Sequence, residues 1–478
     1  MAGEYDPNSP PVLPGFYARI RDSVAAVAQG GDLGIVAVPV VHNWGPIAEF
    51  VSVRNQTEFE AVFGDSDTDA SFAVLGALTG DTDNGGASEV LVYRMDVTGH
   101  AKAAITLDNT SAANAITLTA KHEGTFGNGI TVTTRENPAN AAEDQLLVYV
   151  NTSLKETFTY TAADIQELVD AVNDATTGSA FLDASLDADG TALDDVTSQP
   201  LTGGLNGSAV AGDHTTAQTA MEGQTFNLVV VPNLTDSGIL ASYHAWVANL
   251  NVTIKRVMMV TGGAAAESLN DAITRSGLTS DNENFVNLGL NEFEDVDAVV
   301  HSSAEMVGYV AGMIAGAGVT KNITFNRVAG FSLVDRPSIA EKEQAVANGV
   351  LLFDEDDRGI KVIREKTTYT DDTPEKTFAT FSSIKNVRVI HKIEGDLTVI
   401  TEDEWIGAVQ NTPTTRSNYV GMVLGFLRDL EDLGVLEPGS SEVEIDETQD
   451  NTGDAIYVIL RYGNQGIIEQ VLAIGEIV

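Results

Sequence analysis

The chain has 478 residues, with 69 Asp and Glu against 26 Lys and Arg, and no cysteine. A net charge of −43 repels phosphate backbones and anionic bilayers, which excludes direct nucleic-acid binding and membrane insertion; the missing thiols exclude disulfides, thiolate metal sites and cysteine nucleophiles. With 43% hydrophobic residues and 44 glycines, the length supports two or more domains with buried cores, so the acidity belongs to folded surfaces and not to a disordered tail.

Met1–Asp6 contain neither a basic nor an apolar stretch, so no export signal is expected. Residues 1–16 hold Pro7, Pro10, Pro11 and Pro14; proline fixes φ and removes amide donors, which predicts an extended arm. Alternation predicts a short strand from Phe16 towards Ala28, and the β-branched run Gly34–Val41 predicts a buried strand ending at the turn His42–Pro46. A helix is predicted from near Thr57 to Gly64, another over Ser71–Leu78, and a strand over Val90–Met95.

From Val97 to Gly207 the texture becomes Thr- and Ala-rich. Ala104–Leu107, Ile116–Thr119 and Leu146–Val150 alternate as strands, with one helix at Asp164–Val172, and the block reads as an inserted β domain closed by the loop Gly203-Gly204-Leu205-Asn206-Gly207. Strands and helices then alternate: Phe226–Val231, Ile239–Leu250, Arg256–Val260, Ala265–Thr274, Phe285–Leu290 and Ala304–Ala317, the pattern of a parallel sheet. The uncharged stretch Met306–Thr320 is short for a membrane span and carries four glycines, which suits a packed core helix. The last third is predicted as helix Ser338–Asn348, a hairpin of Gly349–Phe353 and Gly359–Glu365 across the acidic turn Asp354–Asp357, helix Ile384–Leu397, an amphipathic helix Asn418–Leu433 capped by Gly434, and two terminal strands, Ala455–Tyr462 and Ile467–Val478.

Charge is regional. Between Glu136 and Ile254, Lys155 is the one basic residue beside sixteen acidic ones, whereas Lys321–Arg428 holds fourteen basic and sixteen acidic residues. Such asymmetry places one surface towards solvent and another towards an anionic partner; a high-salt host explains overall acidity but not the asymmetry. Chemistry-bearing motifs are missing: there is no phosphate loop, no His-Glu-x-x-His and no nucleophile elbow. The seven histidines include no pair at helical ligand spacing. Asp187-Ala188-Asp189-Gly190 partly imitates a calcium loop, but Ser185 and Val196 occupy key ligand positions, so it reads as a solvated acidic turn. No cofactor, metal or catalytic residue is expected.

Several segments together resemble contractile tail sheath proteins of phages and related injection machines. They are Pro14-Gly15-Phe16-Tyr17, Gly34-Ile35-Val36-Ala37, Asn43-Trp44-Gly45-Pro46, Phe59–Gly64, Val92-Tyr93-Arg94, Tyr309–Gly316, Asn322-Ile323-Thr324, Phe381–Leu397, Trp405-Ile406-Gly407 and Asn418–Leu433. They follow the family's order, with Val97–Gly207 least matched and Trp405 standing where the pattern has Tyr.

The resemblance implies an α/β and α+β multidomain fold: a core of subtilisin-like topology without a catalytic triad (21–97 and 208–330), a β-rich outer insertion (98–207), an α+β inner domain (331–454), and linking arms (1–20 and 455–478). It implies a structural subunit that stacks in six-fold rings around an inner tube protein, meets baseplate and tail terminator proteins, and contracts without nucleotide in a virion tail assembled in the host cytoplasm. Arm candidates are Pro10, Pro11, Pro14, Phe16, Ile468, Leu472 and Ile474. Tube-facing candidates are Lys361, Arg364, Lys385, Arg388, Lys392, Arg416 and Arg428. Alternatives are the sheath of a tail-derived injection system or bacteriocin, an acidic cell-surface lattice or adhesin protein, and a Rossmann-like enzyme lacking its phosphate loop.

Overall fold

The computed structural model describes residues 34–64, 68–253 and 255–469. Pro10, Pro11, Pro14, Phe16, the strand expected after Phe16, Leu472 and Ile474 lie outside these residues. In chain order the helices are α1 (Gln56–Phe63), α2 (Asp69–Thr79), α3 (Ile165–Asn173), α4 (Ala211–Glu222), α5 (Ser237–Thr253), α6 (Leu269–Gly277), α7 (Val307–Ala317), α8 (Ile339–Ala347), α9 (Phe378–Phe381), α10 (Ile384–Glu404) and α11 (Pro413–Asp432). None is long and apolar enough to cross a membrane, among the described residues.

A seven-stranded sheet forms the centre, in the order Val350–Leu351, Phe285–Leu288, Met258–Thr261, Leu228–Val230, Ile35–Val40, Glu89–Arg94 and Phe50–Val53. All neighbours run parallel except the last pair. Successive side chains alternate between faces. Val36, Val38 and Val40 therefore meet α1, α2 and α7 on one side, while Ala37 meets α4 and α5 on the other. Both faces are covered, which is why these strands read as nearly continuous apolar runs.

The small residues of α7 set its approach to α2. A Cβ on Gly308 would lie 2.1 Å from the Ala73 carbonyl oxygen, and one on Gly312 would lie 2.4 Å from that of Ala77. Helix α1 stops at Gly64, as expected, with φ 76°; its start is set by Asn55, which the sequence reading did not single out and whose side chain accepts from the Glu58 amide.

Residues 98–208 build two four-stranded antiparallel sheets, Gln199–Pro200/Ile130–Glu136/Glu143–Val150/Ser153–Thr161 and Leu205–Ser208/Thr98–Asp108/Asn114–Glu123/Leu182–Leu186. With α3 they enclose a separate apolar cluster. Trp44, from the turn after the first core strand, is part of that cluster and packs on His122 and Phe126 at ring distances of 5.0 and 4.8 Å. Arg94, itself buried, donates to the carbonyls of Gly45 and, at 2.8 Å, Glu123, so core and insertion share a polar and an aromatic contact.

The C-terminal part pairs α10 with α11 around Val389, Ile393, Val423, Leu427 and Leu430, and packs a two-stranded sheet, Glu442–Ile445 with Val458–Arg461, against them.

Several expectations need correction. Asp354, Glu355 and Asp356 are strand residues: Phe353–Asp356 pairs with Gly359–Val362, and Asp357 and Arg358 make the turn. Their carboxylates are held there by ion pairs, Asp354 with Lys342, Glu355 with Arg336 and Asp356 with Arg327. Val350–Leu351 instead joins the central sheet. Leu205–Ser208 is an edge strand of the insertion and not a linking loop. Leu433 caps α11 and is 67% exposed, so it is not on the packed face. Helix α6 starts at Leu269, because the Ser268 side chain accepts from the Asp271 amide.

Candidate assembly site

The stretch following strand Gly359–Val362 brings Arg364, Glu365 and Lys366 to the first turn of α10. Ser383 caps that helix through the Asn386 amide. The Glu365 carboxylate accepts from the Ser383 hydroxyl at 2.6 Å and from the amides of Lys385 and Ile323 at 3.2 and 3.4 Å. An anion at a helix N-terminus is favoured by the exposed amides and the helix dipole. Burial nevertheless pushes the Glu365 carboxyl up, against those donors. Lys366 donates to the Ser382 hydroxyl at 2.8 Å and lies over the Phe378 ring; burial, reinforced by Arg364, pushes its ammonium down to about 8.

This wall receives the chain's C-terminal segment. Gln465 is held by its amide to the Val435 carbonyl at 3.0 Å and by its own carbonyl to the Lys385 ammonium. Beyond it, Glu469 pairs with Arg364 at 2.6 Å and accepts from Asn322 and Thr324 at 3.3 Å each. A cavity of about 380 Å³ lies along Arg364, Lys366, Lys385 and Glu469. Ile468, an arm candidate, is 83% exposed.

The tube-facing candidates are scattered by comparison. Lys385 and Arg388 are buried, and Arg388 donates to the carbonyls of Ile314 and Gly318, so neither charge is available to an external partner in this fold. Lys361 pairs with Asp356, Lys392 with Asp396, and Arg364 with Glu469. Arg416 donates to the Asn451 carbonyl at 2.7 Å. Arg428 stands on the exposed side of α11. Sequence reasoning passed over Glu469 and Gln465, and named Asn322 and Thr324 only within a resembling segment, not as partners of this site. Glu469 lies 147 and 145 residues from Asn322 and Thr324, and Gln465 lies 80 from Lys385, and no periodic pattern marks them.

Among the described residues, no group of three or more His, Asp or Glu is placed to hold a metal ion. Asp187 accepts from the Thr117 hydroxyl at 2.7 Å, and Asp189 accepts from the Ile165 amide at the start of α3 at 2.8 Å. Both acids of the calcium-like turn therefore serve local structure.

A doubly covered α/β core with an inserted β sandwich and a helical C-terminal part bearing a two-stranded sheet is the fold of contractile tail sheath proteins. The chain shares it with the sheath tail protein of Desulfitobacterium hafniense at a TM-score of 0.74 and 20% identity, over 94% of this chain and 100% of that one. It also aligns with the helical sheath of the anti-feeding prophage in its contracted state, at a TM-score of 0.54 and 12% identity, over 97% of this chain and 99% of that one. Residues 207–368 match the family model described as phage tail sheath protein central domain. Among curated proteins, XkdK of the phage-like element PBSX in Bacillus subtilis is 24% identical over 466 residues, 93% of each chain. The resemblance read from the sequence is thereby shown: residues 207–368 match the sheath central-domain model, and the structures that share the fold are sheath proteins of phage tails and injection systems.

Proposed function

We propose that the chain is the repeating structural subunit of a contractile sheath, stacked as six-fold rings around an inner tube and shortening without nucleotide hydrolysis to drive that tube forward. The observation that carries this reading is the sheet Glu442–Ile445/Val458–Arg461. Among the described residues it has two strands only, and a two-stranded ribbon is marginal in water unless further strands or packing complete it. Its outer edges offer unpaired amides and carbonyls to strands from neighbouring copies, and backbone bonds of that kind tether rigid bodies while they rotate. A proline-rich N-terminal arm and an apolar C-terminal segment are suitable donors.

In this reading the core is of subtilisin-like topology, the acidic insertion faces the medium, and the C-terminal part faces the tube. Arg428 and Arg416, near the solvent side of α11, are the tube contacts retained from the sequence. Baseplate and terminator proteins would meet the two ends. A phage tail and a tail-derived injection device are equally served by this architecture.

The test is negative-stain microscopy of the purified chain and of a chain lacking residues 1–16. Hollow, striated tubes from the first and a folded monomer from the second are expected. Normal tubes from the truncated chain would remove the linking role of the arm, and a full-length chain that stays monomeric at all salt concentrations would remove the sheath role.

A further inference from the structure

Residues 463–465 are tied into the C-terminal part by backbone bonds: Gly463 accepts from the Glu437 amide at 2.8 Å, Asn464 bridges to Leu436, and Gln465 donates to Val435 at 3.0 Å. From Gly466 onward this changes. Among the described residues no backbone bond holds 466–469, a Cβ on Gly466 would meet nothing within 4 Å, and Ile467 and Ile468 are 38% and 83% exposed. Among the described residues, the polar contacts of this segment come from one side chain, Glu469, seated on Arg364, Asn322 and Thr324. Arg364 is 43% exposed, so the contact is screened by salt and weak beside a buried pair.

We infer that Glu469 is a clasp: in the free chain its carboxylate parks the C-terminal segment in the notch of Arg364, Asn322 and Thr324 on its own subunit, and the segment swings out about Gly466 when subunits assemble. The inference rests on the sheath reading for its second half only. Its occupant after release is a second copy of this chain. Nine residues, Gln470–Val478, follow the clasp and six of them are apolar. In sequence they continue Ile467 and Ile468 as an apolar strip, a composition that water disfavours and that a neighbouring subunit would cover. Parking prevents this strip from engaging too early, and because one half-exposed ion pair and two side-chain hydrogen bonds hold it, assembly can displace it without crossing a large barrier. An interaction of this size is expected to raise the protein concentration needed for assembly by roughly two- to fivefold.

The absence of cysteine permits a clean distance measurement. Spin labels are placed at Ile468→Cys and at the exposed Leu433→Cys, and the pair is read by double electron–electron resonance in the full chain. A narrow distance distribution is expected at low salt. It should broaden with Glu469→Gln, with Arg364→Ala and in 1 M NaCl, and narrow again in the charge-swapped double variant Arg364→Glu/Glu469→Arg. In tubes diluted with unlabelled chain the distance should differ from that of the free protein. Glu469→Gln without labels should assemble at a two- to fivefold lower concentration. An unchanged narrow distribution in Glu469→Gln overturns the clasp, and an unchanged distance in tubes, or an unchanged assembly threshold, overturns its release. If no tubes form from the wild-type chain, the sheath reading fails by itself, while the comparison in the free protein still decides the clasp.

Discussion

Arg388, in the second turn of α10, donates from its guanidinium to the carbonyl oxygen of Gly318 at 2.8 Å, just past the end of α7. It also reaches the Ile314 carbonyl in the last turn of that helix. The last carbonyls of a helix have no partners within it and carry partial negative charge, so a buried cation there satisfies both. One side chain thus ties the C-terminal part to the central sheet's main helix. Ile384 and Val387, buried in the core cluster, join the two parts at the same place.

Replacing Arg388 with Ala leaves two buried carbonyls without their donor and is expected to cost about 2–3 kcal/mol, read as a lower urea midpoint. Arg388→Lys keeps the charge but loses the planar fork, and should recover only part of the loss. A midpoint unchanged in both variants would mean that the α7–α10 junction is held by packing alone.

The close contact of α2 and α7 gives a second prediction. At Gly312 an added methyl would approach the Ala77 carbonyl to 2.4 Å, so Gly312→Ala must push two packed helices apart, costing about 1–3 kcal/mol. Gly421 in α11 is exposed and an added Cβ meets nothing within 4 Å. Gly421→Ala should therefore stabilise by about 0.5–1 kcal/mol through helix propensity. Thermal unfolding of both variants measures the opposite signs, and shifts in the same direction would sink the explanation.

These contacts show what a sequence can carry. The strands Ile35–Val40 and Met258–Thr261 were legible because residues buried on both faces must be continuously apolar, and α1 because Phe59 and Phe63 recur at helical spacing and Gly64 ends it. Helix α4 was not, since its buried side includes His214 and Gln218 beside Ala217 and Met221 and offers no apolar stripe. The basic residues misled for a related reason. A sequence states that Lys385 and Arg388 are charged, not that Gln465 and Gly318 supply their carbonyl acceptors. The strand Glu442–Ile445 is only four residues of alternating charge and apolar side chain, too brief to separate from a loop.

Trp44 couples the core to the insertion. It is 4% exposed and lies among His122, Phe126 and Phe181, so Trp44→Ala is expected to cost about 3–5 kcal/mol. The cost falls on the insertion, whose cluster it completes, so calorimetry should show the unfolding transition splitting in two. A single transition, shifted as a whole, would place the damage in the core instead.

Acid should destabilise the protein before its carboxylates titrate. Burial pushes His42, His122 and His244 down to about 4 and His391 to about 3. In the unfolded chain each returns to near 6.5. Between about pH 6.5 and pH 4 the unfolded state therefore binds protons that the folded state refuses, and stability falls as pH falls, by up to ~1.4 kcal/mol per pH unit for each histidine. Glu365 works in the opposite sense, because a carboxyl pushed up by burial is protonated first in the folded chain. Asp144, pushed up by burial and by Asp195 and Glu136, acts as Glu365 does, but burial also pushes His214 down, so two carboxyls stand against five histidines. His391 is the clearest case. Its Nε2 lies 2.8 Å from Asn284 Oδ1, so the neutral ring donates there, and the charges of Arg256 and Arg388 oppose its protonation. His391→Gln can keep that donor without titrating. Urea unfolding at pH 7.0, 5.5 and 4.5 should give a wild-type stability that drops steadily, and a His391→Gln profile shallower by about one proton's worth. Parallel profiles would show that His391 is protonated in the folded state across this range.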